Sequence, residues 1–197
     1  LAGLILTRDL FNLFVFMELT AISTAGLVLL SDDSRALGAG FKYLIVSQVV
    51  SVLLLIGIIF AYHVTGTLNI DGMAETPALP ATGIGAIAAF LILIALTAEL
   101  KPFPANGWAL DIYESAHPAY GAIFSAASGA AVIFAVDKVL SIGGAAWLPL
   151  ATGVGIATFL FSNLFALPQT NDRRLLGNSS VGQIGLVLAV VGQRDVL

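Results

Sequence analysis

The sequence predicts an all-α membrane protein, a polytopic bundle of transmembrane helices with one discontinuous helix near residues 99–108. Hydrophobic residues make up 58% of the 197-residue chain and charged residues only 10%, whereas ordinary soluble domains are about 25% charged. Six apolar stretches approach the roughly 20 residues that a helix needs to cross a bilayer. Two prolines at the end of the third stretch predict the discontinuity.

The six stretches are separated by connections that contain the Gly, Pro, Asn, Asp and Ser residues typical of turns. They cover approximately residues 10–30, 39–62, 81–98, 119–136, 147–167 and 175–191. A short apolar segment at residues 1–7 is expected to be the end of a further helix. We therefore expect residues 1–197 to form one membrane domain fragment, the end of one helix followed by about six transmembrane helices.

The composition also limits the chemistry expected of this chain. It contains no cysteine, which excludes disulfides, thiolate-bound iron–sulfur clusters and Cys-ligated zinc within it. Its histidines, His63 and His117, lie in separate segments and do not have metal-ligand spacing. No basic patch indicates nucleic-acid binding. We expect no metal or cofactor site, and a lipid bilayer as the surroundings of the chain.

The third apolar stretch ends at Glu99, Lys101, Pro102 and Pro104. An ionised side chain near the bilayer centre costs roughly 2.5 to 3.5 kcal/mol, so such residues are rare unless they face protein or a wet cavity. Proline removes a backbone donor, and freed backbone groups at membrane depth persist only beside a cavity or other protein. The break is the predicted site of ion handling.

Glu18 lies in the middle of the first stretch, and Ala21 and Ala25 fall on its face of the helix. Small residues there allow another helix to approach and shield the carboxyl group from lipid. Two roles fit this position. Glu18 is either a structural carboxyl that fixes helix packing or a proton-handling group, because a carboxyl removed from water can exchange protons near neutral pH.

Polar residues recur on two other helices. Lys42 lies near the start of the second stretch, where its side chain can either face the interior or extend to the interface. Tyr43, Ser47 and Ser51 follow at helical spacing as a polar stripe, and Gln183 is part of a similar group on the last helix. Each group either orders a file of water or bonds a neighbouring helix.

Four sequence blocks, taken together, carry a family resemblance. They are DLFNLFVFMEL at 9–19, GFKYL at 40–44, PANGWALDIY at 104–113 and QTNDRRLLGNSSVG at 169–182. In this order they resemble the antiporter-like membrane subunits of respiratory complex I, and the last block is most similar to subunit N. Related subunits recur in membrane-bound hydrogenases and multisubunit Na⁺/H⁺ antiporters.

The resemblance implies a proton-translocating bundle built from two inverted repeats, each with a broken helix. The chain would be a non-redox subunit of a proton-translocating oxidoreductase of the NADH:quinone type, in a prokaryotic cell membrane. It implies other membrane subunits and a redox module as partners, with protons or Na⁺ as the transported ion. Two alternatives stay open: a secondary Na⁺/H⁺ antiporter subunit, and a structural subunit whose relay has decayed.

The resemblance also implies residue roles. Glu18 matches a family glutamate that pairs with a lysine near the helix break, and Lys42 matches a lysine common at the start of the following helix. The lysine of the break, however, is replaced by Glu99, with Lys101 two residues later. A shift of two residues turns a side chain by about 200° on an intact helix. We expect an unwound backbone beside Pro102 to let Lys101 still face the interior.

A second family lysine, often found on the next helix, falls at Gly129. His117 is the nearest titratable group that could replace it. We predict a proton relay of Glu18, Glu99, Lys101 and Lys42. Further candidate members of the relay are His117, Asp111, Ser47 and Gln183.

Overall fold

The computed structural model describes residues 1–30, 33–75, 79, 83–144 and 147–193, and it confirms an all-α membrane bundle. Five of the described helices are long and apolar enough to cross a membrane. The helices are α1 (Ala2–Leu6), α2 (Leu10–Leu29), α3 (Ser34–Thr65), α4 (Ile70–Glu75), α5 (Gly83–Glu99), α6 (Gly107–Ser115), α7 (Pro118–Gly143), α8 (Leu148–Ala166) and α9 (Asp172–Val191).

All six predicted stretches correspond to helices, and the differences lie at their ends. Helix α3 begins before residue 39 because Asp33 accepts a hydrogen bond from the backbone N–H of Arg35 at 3.0 Å. Helix α9 begins before residue 175 because Asn171 accepts from two backbone N–H groups, at 3.0 and 3.2 Å. Such N-caps satisfy donors that the first turn leaves unpaired. Hydropathy misses these polar first turns. Residues 81 and 82, the predicted start of the third stretch, lie outside the described residues.

The outer faces of the long helices are apolar. Large side chains there remain more than half exposed, as at Ile59 (55%) on α3 and Leu164 (57%) on α8. Lipid tails are as apolar as leucine, so these faces need no protein partner in a bilayer. The exposed surface therefore fits a multi-pass membrane protein.

The predicted helix break is confirmed between α5 and α6. Just after α5, the N–H groups of Leu100 and Lys101 bond to carbonyls three residues back, both at 3.0 Å. Lys101 then adopts a left-handed backbone with φ of 60°. The N–H of Phe103 donates to Thr158 Oγ1 on α8 at 3.1 Å. A neighbouring helix thus satisfies backbone that the break frees, as membrane depth requires.

Helices α8 and α9 pack through small residues. A Cβ atom added at Gly185 would lie 2.8 Å from the backbone nitrogen of Phe159, and one at Gly155 would lie 2.8 Å from the Cα of Ala189. The two backbones therefore approach as closely as glycine permits. This contact fixes α9 beside the helix that supports the break.

The two ends of the bundle differ. At one end, the N–H of Ile70 donates to the carbonyl of Arg8 at 2.9 Å, and Arg8 forms an ion pair with Asp71 at 3.1 Å. Lys138 of α7 donates there to carbonyls at the end of α1, including that of Thr7 at 2.9 Å. We call this the Lys138 end. The opposite end, the Lys42 end, carries an open polar cavity.

Candidate functional site

Glu18 is half-buried on α2 and bonds two side chains of α3. Its Oε1 accepts from Ser51 Oγ, and its Oε2 accepts from Gln48 Nε2 at 3.1 Å. Ala21 and Ala25, on the same face of α2, are 4% and 2% exposed. The small residues thus lie in the helix interface, as their spacing predicts, and Glu18 faces protein rather than lipid.

Glu99 lies at the end of α5 and is bonded by the same helix α3. Its Oε1 accepts from the hydroxyl of the fully buried Tyr43 at 3.4 Å. The Tyr43 ring stacks on Trp108 of α6, with centroids 5.3 Å apart. The predicted stripe therefore faces inward: Tyr43 bonds Glu99 at one end, and Ser51 bonds Glu18 about 12 Å along α3.

Ser47 lies between these two contacts and is 4% exposed. Its hydroxyl donates to the carbonyl of Leu44 at 3.2 Å. A serine hydroxyl can also accept a hydrogen bond. Ser47 is therefore a buried hydroxyl on the line that joins the two carboxyl groups, in the position that its spacing predicts.

Lys101 enters the interior of the bundle despite its shift along the sequence. Its side chain is 1% exposed, and its Nζ lies 3.6 Å from the ring centroid of Phe124 and 3.4 Å from the carbonyl oxygen of the same residue. The left-handed backbone at Lys101 turns the side chain toward α7. Among the described residues, no ion pair within 4.0 Å joins Lys101 to Glu99.

A charged cluster occupies the Lys42 end. Lys42 Nζ lies 2.7 Å from Asp111 Oδ2, and Arg174 of α9 lies 3.4 Å from the other oxygen of Asp111. Arg174 also pairs with Glu114 at 2.7 Å. A cavity of about 650 Å³ adjoins this cluster, lined by residues that include Lys42, Asp111 and Arg173. Asp111 thus joins α6 to both α3 and α9 at the mouth of a polar cavity.

The structure does not bring His117 and Gln183 to the buried carboxyl groups. His117 is exposed at the start of α7, where its Nδ1 accepts from the backbone N–H of Ala119 at 3.3 Å. Gln183 is exposed along an apolar groove between α7 and α9. In the part of the chain that the structure describes, no hydrogen bond joins either side chain to Glu18, Glu99 or Lys101.

Three hydroxyl groups that meet between α6, α7 and α9 were not among the predicted site residues. Ser180 Oγ lies 3.1 Å from the Tyr113 hydroxyl and 2.5 Å from Ser125 Oγ. We call Tyr113, Ser125 and Ser180 the hydroxyl trio. In the sequence, only the polar group on the last helix, which contains Ser180 as well as Gln183, pointed to the hydroxyl trio. Ser125 occurs in an apolar segment, and Tyr113 lies on the far side of the break.

The chemistry available at these sites is proton transfer. Carboxyl, hydroxyl and amine groups follow one another through the interior, and each can donate or accept a proton. Within the described ranges, no group of three or more His, Asp or Glu side chains is arranged to hold a metal ion.

A protein-family comparison identifies the chain. The family described as NADH:quinone oxidoreductase/Mrp antiporter, TM, matches residues 7–195. The chain belongs to this family. The predicted resemblance is thereby confirmed, and the chain is a member of an antiporter-like membrane family.

Individual relatives agree with this membership. NADH-quinone oxidoreductase subunit N of Rubrobacter xylanophilus is 32% identical over 196 residues, which are 96% of this chain and 41% of that protein. The chain is similar to a subunit of the membrane-bound sulfane sulfur reductase, an archaeal respiratory membrane complex. That match has a TM-score of 0.89 and 34% identity, over 96% of this chain and 40% of the other.

A second solved structure, the Mrp complex from Dietzia sp. DQ12-45-1b, gives a TM-score of 0.87 and 32% identity. The match covers 96% of this chain and 36% of the Mrp chain. The chain spans about two fifths of the length of the relatives it matches. The comparisons thus cover nearly all of this chain and less than half of each relative.

Proposed function

We propose that this chain is part of a proton-translocating, antiporter-like membrane subunit of a redox-driven complex of the NADH:quinone oxidoreductase type. Its partners are other membrane subunits and a redox module, and its location is a prokaryotic cell membrane. Family membership and the similarity to subunit N support this proposal. The observation that carries it is the interior line in which Ser51 bonds Glu18 and Tyr43 bonds Glu99, with Lys101 buried beyond.

The proposed relay works by separating and rejoining an acid and a base. When the ammonium group of Lys101 meets the carboxylate of Glu99, each charge stabilises the other. When the two separate in a desolvated interior, both groups favour their neutral forms, so protons are released and taken up. The position of Lys101 against Phe124 corresponds to the separated arrangement.

The remaining residues have supporting roles in this proposal. Glu18 exchanges protons with the Glu99 region along the hydroxyl stripe, in which Ser47 lies between the two contacts.

Lys42 and Asp111 collect protons at the mouth of the 650 Å³ cavity. His117 and Gln183 are exposed, so we assign them to the surface ends of the pathway. Redox cofactors are assigned to the partner module.

Proton uptake by inverted membrane vesicles energised with NADH tests this function. We expect Glu18→Gln and Glu99→Gln in the full-length protein to abolish proton uptake while the complex still assembles, since an amide cannot carry the proton. Glu75→Gln is the matched control, because Glu75 is exposed at the end of α4. Full uptake in both buried-site variants would rule out the relay.

Secondary Na⁺/H⁺ antiport is a second candidate function, and the similarity to the Mrp complex favours it. Its test is the same vesicles without an electron donor, in which an imposed Na⁺ gradient is applied. Proton movement that follows Na⁺ and is lost in Glu18→Gln would support antiport. If pumping instead survives neutralisation of Glu18, Glu99 and Lys101 together, the chain is a structural subunit with a decayed relay.

A further inference from the structure

The route beyond Lys101 cannot use an ionisable group at position 129. This position carries Gly129, and a Cβ atom built there would lie 2.9 Å from Ile184 Cδ1 of helix α9. Gly129 and Ile184 are both buried, so α9 already fills the space beside the backbone. A proton that leaves Lys101 therefore needs another acceptor close to the Phe124 end of its side chain.

Helix α7 is irregular where Lys101 meets it. Residues Phe124–Ser128 form a π-helical turn, the kind of local widening that is frequent at functional sites. The carbonyl of Phe124, the first residue of this turn, accepts from Lys101 Nζ at 3.4 Å, and its ring lies 3.6 Å away. The next residue along the turn is Ser125. The π-helical turn thus places the residue that contacts the ammonium group, Phe124, next to one member of the hydroxyl trio, Ser125.

The hydroxyl trio continues from this turn across two other helices. Ser125 Oγ lies 2.5 Å from Ser180 Oγ on α9, which lies 3.1 Å from the Tyr113 hydroxyl on α6. The ring of Tyr113 is also close to the lysine, with its centroid 5.9 Å from Nζ. Tyr113 and Phe124 are themselves in contact, with ring centroids 5.5 Å apart. Tyr113 therefore belongs both to the aromatic pair beside the ammonium group and to the hydroxyl trio.

We propose that the hydroxyl trio accepts the proton that leaves Lys101 and carries it into the groove between α7 and α9. This inference rests on the proposed proton-translocating function. The N–H bond of the ammonium group breaks as an O–H bond forms on the hydroxyl oxygen of Tyr113, whose ring centroid lies 5.9 Å from Nζ. Tyr113 then gives its own proton to Ser180, Ser180 gives its own to Ser125, and Ser125 releases one proton to water at the groove, so each hydroxyl again carries one proton. Ser125 lines the groove together with Gln183, which places the end of the trio at an exposed polar side chain.

In this proposal, the step from Nζ to the Tyr113 hydroxyl is made by rotation of the lysine stem or through bridging water. A water that bridges two polar groups is nearly as favourable as a direct hydrogen bond. A simpler role for the same hydroxyls is to bond α6, α7 and α9 together. The two roles differ in one respect: conduction requires a proton-bearing oxygen at each position, whereas packing tolerates a group of similar size without one.

Substitutions at Ser180 separate conduction from packing. In the full-length protein within its complex, we expect Ser180→Ala to lower NADH-driven proton uptake by inverted vesicles about 100-fold, the low end for positioned proton-transfer groups. Ser180→Thr keeps the hydroxyl and is expected to restore uptake. Ser128→Ala is the matched control, because Ser128 is also buried in the π-helical turn but lies outside the trio. Assembly of each variant is checked by native gel electrophoresis.

The Lys101→Met variant separates failure of this inference from failure of the proposed function. If Lys101→Met abolishes uptake while Ser180→Ala and Tyr113→Phe pump fully, the trio is not the route and the proposed function stands. If Lys101→Met also pumps fully, both are overturned. If Ser180→Ala and Ser180→Thr are equally inactive in assembled complexes, the serine has a packing role and the inference is overturned.

Discussion

From the left-handed backbone of Lys101 we predict a difference in stability between two substitutions that remove its amine and its apolar stem. Lys101→Ala keeps a Cβ atom at φ of 60°, whereas Lys101→Gly does not. A left-handed conformation costs an L-residue roughly 1–2 kcal/mol relative to glycine. Alanine regains about 0.4–1 kcal/mol by restricting the unfolded chain. We therefore expect the glycine variant to be more stable than the alanine variant by about 1 kcal/mol.

Both variants lose the contacts with Phe124 and leave a cavity in place of the lysine stem. These effects cancel in the difference between their unfolding free energies. Equilibrium unfolding of the full-length protein in detergent measures the difference, which corresponds to about a fivefold change in the unfolding equilibrium constant. Both variants should lack proton uptake. An alanine variant as stable as the glycine variant, or more stable, would refute a left-handed turn at the break.

Three further predictions concern packing, the stripe and the cavity. Gly185→Ala should destabilise the protein by about 1–3 kcal/mol, because the added methyl group overpacks the α8–α9 contact. Gly153→Ala is the control and should leave stability unchanged, since nothing lies within 4 Å of its added Cβ atom. Thermal unfolding in detergent measures both. Tyr43→Phe removes the hydroxyl that donates to the carboxyl group at the break, so we expect vesicle proton uptake to fall, while Tyr62→Phe on the exposed face of α3 leaves it unchanged. Asp111→Asn removes a partly exposed charge shared by two basic side chains. Its unfolding free energy should change by less than about 1 kcal/mol, while the initial rate of proton uptake falls.

Much of the fold follows from local sequence properties. Apolar runs predict the helices because the bilayer sets their length, and Pro102 and Pro104 predict the break because proline interrupts helical hydrogen bonding. The helix starts at Ser34 and Asp172 are harder to predict. Their first turns are polar, and only the capping side chains of the preceding residues identify them.

The site was predictable where neighbours lie on one helix and not where they meet across helices. The spacing of Ser51 from Tyr43 on α3 indicates an inward stripe without any tertiary information. The direction of Lys101 depends on its own φ and on a π-helical turn that begins at Phe124, 23 residues later. No local pattern encodes that meeting. The filling of the space at Gly129 by a residue of α9 is likewise a tertiary fact.

The number of protons translocated per electron pair tests the central claim most directly. It is measured in inverted vesicles that contain the full complex with either native Glu18 or Glu18→Gln, with NADH oxidation recorded in the same sample. The proposed relay predicts that the variant still oxidises NADH but moves no protons. An unchanged ratio of protons to electrons in the Glu18→Gln vesicles would contradict it.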